Sequence, residues 1–368
     1  GAAPCKSFPM SPQVRDEAPA PVFLICSERS GSNLIASIMG AHPDMYAHPP
    51  YHLGRDLLGP LHHLVPAGPG AAEALRVLSD HAVAKVRRYR DEDEAQRLAA
   101  RLQGPDMPDA AALARFVWQD MPTDARGKVA FVKENNVHNL FSLILTAFPD
   151  ARFVFQVRDP RDFLASAKAR RRMPLGNKFG SLRRALDIWR ADQQAGLSAL
   201  GHMGPGRVFA LRYEDLISDA EAQLRALCAF CGVPFDPAML SFHEGAETAK
   251  LAQTTGAREN LSRPLMTGNF HKYRKTLSRG EIRITEAWLG DLMTRFGYPL
   301  DYPRRARATL WQALRPQLTE PFERLVNGEV APFYKVGHKR LWRALDGTGA
   351  PLFPPLGARA AGTGDRAE

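Results

Sequence analysis

A polar loop that separates an apolar run from a helix-forming run carries the residues with the clearest chemical potential in this chain. Backbone N–H groups at the start of a helix lack intrahelical partners and carry partial positive charge, so an anion placed there gains hydrogen bonds. Gly31 lets the backbone come close, and Arg29 adds a fixed cation beside several hydroxyls. We therefore predict a loop that binds a phosphate-like group. The loop reads, in order, Ser27, Glu28, Arg29, Ser30, Gly31, Ser32 and Asn33.

Two other interpretations of this loop compete with a specialised anion-binding site. The first is the phosphate loop of a magnesium-dependent kinase, but its Walker pattern is absent, because no glycine stands five residues before Gly31 and Arg29 precedes that glycine. Under the other interpretation the serines do no more than cap the helix that follows. On the residues of this loop alone, we favour the binding site over the cap.

Four continuous apolar runs predict the strands of a central sheet. They lie at 22–26, 128–133, 152–158 and 207–213, and a stretch with helical spacing follows each of them. Apolar strands that alternate with helices are typical of a parallel sheet covered on both faces. The fold class that we expect is therefore α/β.

Polar side chains follow each of these predicted strands. Arg29 comes after the first strand, Lys133 and Glu134 after the second, Arg158 after the third and Tyr213 after the fourth. In open parallel sheets, ligands bind in a crevice outside the carboxyl ends of the strands. We therefore expect these side chains to converge on one crevice.

Changes in composition along the chain predict one large domain between two less ordered ends. Residues 1–20 are rich in Pro and Ala and indicate a flexible arm before an α/β domain at 21–300. Irregular insertions often carry specificity, so we expect the loop and helical insertion at 47–119 to cover an acceptor pocket. Three further segments are a predicted loop at 248–266, a helical C-terminal extension at 301–345 and a flexible tail at 346–368.

The composition is typical of a soluble globular protein. Apolar residues make up 45% and charged residues 24%, and no apolar run approaches the ~18 residues that a membrane span requires. Four cysteines are too few for a disulfide scaffold and favour a reducing, cytoplasmic compartment. Cys228 and Cys231 stand in an apolar helical pattern, so we expect buried thiols there and no metal or redox site.

A net charge of +10 predicts anionic partners. Ten Lys and Arg lie between Arg152 and Arg184, including the basic run 168–172. This stretch has neither interleaved aromatic residues nor a zinc-finger or RNA-recognition signature, so we expect no nucleic-acid partner. Peripheral contact with an anionic membrane surface stays open.

Three separated motifs resemble those of the sulfotransferases that use 3′-phosphoadenosine-5′-phosphosulfate (PAPS). The run from Leu24 to Leu34 resembles the family's 5′-phosphosulfate loop, and Arg158 with Ser166 eight residues later resembles its 3′-phosphate segment. Arg263 before the run 268–273 resembles a late segment that closes over the 3′-phosphate. Tyr213 stands where the family places an aromatic ring beside the adenine. The resemblance thus implies nucleotide contacts at Arg29, Ser30, Gly31, Ser32, Asn33, Arg158, Ser166, Tyr213 and Arg263.

The resemblance also implies a fold and a reaction. The fold is the P-loop-like architecture of PAPS sulfotransferases, and the reaction is in-line transfer of a sulfuryl group to a hydroxyl or amine. By analogy with phosphoryl transfer, positioning and electrostatic stabilisation do most of the work, which gives Arg29 a catalytic role. No metal is required, because Arg29 can meet the developing charge directly. The partners are PAPS and an acceptor that is a small molecule, a glycan or a lipid.

Several residues are candidates for the general base of the predicted site. Some bacterial members carry a glutamate about twenty residues after the loop, where this chain has His48 and no carboxylate. A histidine with a pKa near neutrality can accept a hydroxyl proton, so His48 is one candidate and Glu134 the second. His52 and His138 are further candidates. The alternatives to a sulfotransferase are a small-molecule kinase and a binding module that kept the nucleotide site without a base.

Overall fold

A five-stranded parallel sheet forms the centre of the structure, a computed structural model that describes residues 19–63, 71–103, 109–169, 179, 181–253 and 259–302. The strands are β1 (Val22–Cys26), β2 (Met45–Ala47), β3 (Val129–Val132), β4 (Arg152–Val157) and β5 (Val208–Arg212). They pair in the order β2-β3-β1-β4-β5, and every pair is parallel. Since β1 lies in the middle, the loop that follows it opens between its two neighbours, β3 and β4.

Thirteen α-helices surround the sheet within the described ranges. Short 3₁₀ and π-helical turns connect several of them. The α-helices are α1 (Ser32–Gly40), α2 (Gly59–His63), α3 (Ala71–Tyr89), α4 (Glu92–Gln103), α5 (Ala110–Arg115), α6 (Phe141–Ala147), α7 (Pro160–Ala169), α8 (Leu182–Met203), α9 (Tyr213–Ser218), α10 (Ala220–Cys231), α11 (Ala246–Gln253), α12 (Tyr273–Thr276) and α13 (Arg279–Arg295).

Two apolar cores cover the two faces of the sheet. Successive side chains of a strand point to opposite faces, so Phe23 and Ile25 of β1 enter one core while Val22 and Leu24 enter the other. The first core includes apolar residues of α7, α8 and α13, and the second includes those of α1 and α10. The predicted α/β fold, with helices on both faces of a parallel sheet, is confirmed.

The predicted insertion is helical and packs on the first core. Buried residues of α3, α4 and α5 belong to the same core as β1. Trp118, which follows α5, meets the ring of Phe23 edge-on with centroids 5.0 Å apart. The insertion is therefore attached to the sheet by apolar contacts, while the prediction that it covers an acceptor pocket stays a prediction.

Two sequence-based expectations differ from the structure. We predicted no strand at β2, which has only three residues and lies at the edge of the sheet, where a short run gives little periodic signal. The predicted loop at 248–266 is also wrong in part, because α11 continues to Gln253 and a 3₁₀ turn spans Glu259–Ser262. Burial of Ala252 and Leu261 in the second core stabilises these turns. Tertiary packing thus overrides a weak local pattern.

Several predictions lie outside the described residues. They are the arm at 1–20 up to residue 18, the C-terminal extension at 301–345 from residue 303 on, the tail at 346–368 and the basic run at 170–172.

The close approach of α8 to β4 gives a stability prediction. A Cβ added at Gly196 would lie 2.2 Å from two ring carbons of Phe155, whereas one added at Gly201 of the same helix meets nothing within 4 Å. Gly196→Ala should lower the free energy of unfolding by about 1–3 kcal/mol because it overpacks the core. Gly201→Ala should raise it by up to about 1 kcal/mol through helix propensity. Chemical denaturation of both variants tests this, and equal stability of the two would contradict the packing.

Candidate functional site

A cavity of about 330 Å³ opens at the carboxyl ends of the central strands. Its walls come from the loop after β1, the first turn of α1, one side of α7, Tyr213 and the segment before α12. Seven of the nine predicted nucleotide contacts line it: Arg29, Gly31, Ser32, Asn33, Arg158, Ser166 and Tyr213. The structure thus brings together residues from distant parts of the sequence.

Internal hydrogen bonds shape the loop after β1. The Ser30 hydroxyl donates to the carbonyl oxygen of Ser27 at 2.6 Å, and the Ser30 carbonyl accepts from Gln156 Nε2 at 2.7 Å. Gln193 Nε2 donates to the Ser27 hydroxyl at 2.8 Å. Ser30 is buried and absent from the cavity wall, so its side chain shapes the loop. Its predicted contact with a nucleotide stays a prediction.

Gly31 brings the loop against the ring of Tyr213. A Cβ at position 31 would lie 2.5 Å from two ring carbons of Tyr213, and the φ angle of 90° is strained for any other residue. Gly31 is the N-cap of α1, whose first turn contains no acidic residue and supplies Ser32 and Asn33 to the cavity. The positive end of α1 therefore faces the cavity.

Arg158 joins the loop to the aromatic wall. Its Nη1 donates to the carbonyl oxygen of Arg29 at 3.0 Å, and its guanidinium carbon lies 4.5 Å from the centroid of the Tyr213 ring. Its Nε is buried and has no hydrogen-bond partner in the described structure. A buried donor without a partner is unfavourable, so Arg158 keeps capacity for an additional acceptor.

Ser166 and Asp162 follow Arg158 at helical spacing on the side of α7 that faces the cavity. The Ser166 hydroxyl accepts a hydrogen bond from Arg29 Nε at 3.1 Å. The Asp162 carboxylate accepts the backbone N–H groups of His271 and Tyr273 at 2.6 and 2.9 Å. Asp162 thereby fixes the segment before α12 against α7.

That segment contributes residues that the sequence analysis did not assign. Asn269 and Lys272 line the cavity, and Asn269 Nδ2 donates to the Tyr213 hydroxyl at 3.1 Å. Arg263, which we predicted as a contact, is exposed and is not part of the cavity wall, although Pro264 beside it is. Asp162 follows Arg158 by four residues and precedes Ser166 by four. This helical spacing could have indicated that Asp162 lies on the same side of the helix as Ser166. The basic side chain of Lys272 inside the late motif was a signal for its position.

His48, the first candidate for the base, is placed as a core residue. It is 4% exposed, and its Nε2 and Nδ1 lie 2.9 Å from the Trp118 carbonyl oxygen and 3.2 Å from the Tyr51 hydroxyl. Burial lowers the pKa of His48 to about 4. Because both ring nitrogens are engaged away from the cavity wall, the geometry does not support His48 as the base.

The other candidates lie near the carboxyl ends of β3 and β1. Glu134 Oε2 lies 3.6 Å from His52 Nδ1, and His138 Nδ1 lies 3.8 Å from Asp192 Oδ1. Burial raises the pKa of Glu134, but the opposing effects of His52, the Gly54 N–H group and Lys133 hold it below its ordinary value. Glu134 is therefore an anion at neutral pH.

Strained backbone is concentrated around these groups. Four described residues other than glycine have a positive φ: Arg29, His52, Asn136 and His271. Asparagine tolerates this conformation, but for Arg29, His52 and His271 it costs about 1–3 kcal/mol each and persists where the surrounding structure imposes it. Arg29 lies in the loop, His52 faces Glu134, Asn136 follows β3, and His271 is bound to Asp162. The residues with a positive φ thus lie in or beside the segments that contain the cavity wall and the base candidates.

A buried ionic network holds the start of α7 in place. Arg161 is fully buried and pairs with Asp159 and Glu286, each at 2.7 Å. Glu214 accepts the backbone N–H of Asp159 at 3.0 Å and the hydroxyl of Tyr298 at 2.8 Å. Burial, reinforced by the charge of Asp159, raises the pKa of Glu214 to about 7. This network positions Arg158 and Tyr213, the direct neighbours of Asp159 and Glu214 in the sequence.

Two negative findings concern the described residues. Among them, no group of three or more His, Cys, Asp or Glu side chains is arranged to hold a metal ion. None of the helices in these ranges combines the length and the apolar character needed to cross a membrane. Cys228 and Cys231 are free and buried, as expected from the sequence.

This chain belongs to the sulfotransferase family, since the model of the Sulfotransferase family matches residues 21–237. The nodulation protein NoeE of Sinorhizobium fredii is 24% identical over 307 residues, which cover 77% of this chain and 68% of that protein. A protein-tyrosine sulfotransferase of Drosophila melanogaster is 28% identical over 103 residues, or 28% of this chain. The chain spans only 21% of the fly protein and 40% of the related Caenorhabditis elegans enzyme.

A solved structure supports the fold. The sulfotransferase domain from the Synechococcus PCC 7002 olefin synthase superposes with a TM-score of 0.50 and covers 75% of this chain and 98% of that domain, at 19% identity. The α/β sulfotransferase fold is thereby confirmed.

The raised pKa of Glu214 gives a prediction for the pH dependence of stability. The folded carboxyl ionises near pH 7 and the unfolded one near 4.5, so the folded state binds the extra proton and this stabilisation is lost as the pH rises between these values. Glu214→Gln should therefore lose less stability than the native chain from about pH 5 to about pH 8, by about 1–3 kcal/mol. Chemical denaturation at both pH values measures this difference. The exposed Glu244→Gln is the control, and equal pH dependence of the native chain and Glu214→Gln would contradict the burial.

Proposed function

We propose that this protein transfers a sulfuryl group from PAPS to a hydroxyl or amine of an acceptor and releases 3′-phosphoadenosine-5′-phosphate. The observation that carries the proposal is that two sets of residues suited to bind an anion line one cavity. The first set is the loop with the N-terminus of α1, and the second consists of Arg158 and Ser166 beside α7. A nucleotide with phosphate groups at both its 3′ and 5′ positions requires two such sets.

The residues present fit this donor. The close contact of Gly31 with Tyr213 leaves no side chain between the loop and the aromatic ring, and the unpartnered Arg158 Nε can donate to a phosphate oxygen. Ser32 and Asn33 would hold the 5′ end through the first turn of α1. Arg158 and Ser166 would hold the 3′-phosphate, with the Tyr213 ring beside the adenine.

The chemistry that the donor supplies is an activated sulfur with a phosphate leaving group. Arg29 and the N–H groups of the loop stabilise the negative charge that develops on the leaving oxygen, because they are fixed donors that need no reorganisation. The loop is held by Gln156 and Gln193, so its donors keep their positions during the reaction. In this proposal the fixed positive charge of Arg29 stabilises the leaving group without a metal ion.

The acceptor and the location are proposed more broadly. The insertion at 47–119 is the proposed cover of the acceptor pocket, and the acceptor is a small molecule, a glycan or a lipid. The basic charge supports anionic acceptors and peripheral contact with anionic membranes, and a nucleic-acid partner is not part of the proposal. A cytoplasmic location is supported by the free thiols of the described cysteines.

Transfer of labelled sulfate from PAPS to a panel of hydroxyl and amine acceptors tests the function. The native chain should release 3′-phosphoadenosine-5′-phosphate and label an acceptor. Arg29→Ala should lower kcat by about 10²–10³-fold, the usual effect of removing one donor to a developing charge. Arg225→Ala removes an exposed arginine paired with Glu221 and is the matched control, with unchanged activity expected.

ATP with Mg²⁺ replaces PAPS in a parallel assay. Phosphoryl transfer from ATP without sulfuryl transfer from PAPS would indicate the kinase instead. Nucleotide binding without either transfer would indicate the non-catalytic module, and full activity of Arg29→Ala would remove Arg29 from the mechanism.

A further inference from the structure

Glu134 and His52 form a buried pair outside the cavity that contains the proposed nucleotide contacts. Glu134 Oε2 and His52 Nδ1 lie 3.6 Å apart, and both atoms are buried without a hydrogen-bond partner. This separation exceeds a hydrogen bond, but a small rotation of either side chain would form one. Each of these two buried atoms thus lacks a partner that the other would supply after such a rotation.

The backbone holds both members of this pair. Glu134 Oε1 accepts the N–H of Gly54 at 2.9 Å, and a Cβ at Gly54 would lie 2.8 Å from Leu140 Cδ1 and 3.0 Å from Glu134 Cδ. His52 has a φ of 53°, a strained conformation for a histidine. The backbone is therefore strained at His52, and only a glycine fits at position 54. Both features keep the carboxylate of Glu134 close to the imidazole of His52.

Glu134 and Arg158 follow the two strands that flank β1 on either side. Val132, the last residue of β3, pairs with Phe23 of β1, and Glu134 follows two residues beyond this carboxyl end. Arg158 follows β4, the neighbour of β1 on the other side. In the proposed function Arg158 holds the 3′-phosphate on the β4 side of the loop. The β3 side, where Glu134 and His52 lie, is therefore the side left for the acceptor and its base.

We propose that His52 is the base that accepts the proton of the acceptor, through its Nε2, and that Glu134 positions it by accepting a hydrogen bond from Nδ1–H. This proposal rests on the proposed function. His52 keeps 14% of its side chain exposed, while its buried edge, Nδ1, faces Glu134. The nitrogen that remains for the acceptor is Nε2, which makes no hydrogen bond within the described residues.

The proposed step moves one proton, forms one bond to sulfur and breaks another. The acceptor hydroxyl or amine gives its proton to His52 Nε2 while its oxygen or nitrogen forms a bond to the sulfur. The bond from sulfur to the bridging phosphate oxygen breaks, and its electron pair stays on that oxygen. Glu134 remains ionised throughout and stabilises the protonated imidazole.

The charges around His52 are consistent with this role. Burial is the main effect that lowers the pKa of His52, and Lys133 and Arg55 lower it further. Glu134 opposes them, because a carboxylate so close to the ring favours the protonated imidazole. The neutral imidazole therefore prevails at neutral pH, which a base requires before it accepts a proton.

The tautomer of His52 tests the pair without an acceptor. Long-range ¹⁵N–¹H NMR of the full chain, with the signal assigned through His52→Asn, should place the proton of the neutral ring on Nδ1. Asparagine tolerates the positive φ at this position, so the variant keeps the backbone. In Glu134→Gln the pKa of His52 should fall, because the opposing carboxylate is lost. A proton on Nε2, or an unchanged pKa of His52 in Glu134→Gln, would overturn the proposal.

Kinetics with any acceptor that the native chain sulfates test the role in transfer. His52→Asn should lower kcat by about 10²–10⁴-fold and abolish the low-pH inflection of kcat/KM, with unchanged affinity for 3′-phosphoadenosine-5′-phosphate. Glu134→Gln should lower kcat and shift the inflection to lower pH, and Glu134→Asp should recover part of the loss.

His138→Asn is the matched control, because His138 faces Asp192 in a similar pair. It should keep the inflection. Loss of the inflection in His138→Asn but not in His52→Asn would overturn the proposal and assign the base to His138. Native transfer with full activity of His52→Asn would overturn it while leaving the proposed function intact, whereas no transfer by the native chain would overturn both.

Discussion

The contact of Arg158 with the loop is the interaction on which the site depends. By donating to the Arg29 carbonyl and stacking on Tyr213, this one guanidinium sets the spacing between the loop and the aromatic wall. Its own position depends on β4 and on the Trp189 indole, which donates to the Arg158 carbonyl at 3.0 Å. The apolar cores therefore determine where Arg158 lies in the cavity wall, because they fix the strand end from which it extends.

The sequence predicted those parts of the structure that depend on local pattern. The four longer strands produce continuous apolar runs, and parallel topology implied that the polar residues at their ends meet in one crevice. Arg29, Arg158 and Tyr213 do line one cavity, whereas Lys133 and Glu134 after β3 are not part of its wall. Ser166 was predictable because two helical turns from Arg158 place it on the same helical side. In each case a short-range rule determines the position.

The remaining features depend on contacts between distant segments. Nothing near His48 in the sequence shows that the Trp118 carbonyl and the Tyr51 hydroxyl engage its ring. The pairing of His52 with Glu134 joins residues 82 positions apart. Asp162 holds a segment more than a hundred residues away. Such pairings are decided by tertiary packing, which a single sequence does not reveal, and the choice of base depended on them.

The central claim is that one cavity binds a nucleotide through two phosphate sites, and calorimetric titration tests it most directly. We expect 3′-phosphoadenosine-5′-phosphate to bind the native chain more tightly than 5′-AMP by about 1.5–3 kcal/mol, the value of a hydrogen bond to a charged group. In Arg158→Ala this preference should largely disappear. Equal affinity of the native chain for both nucleotides would contradict the account.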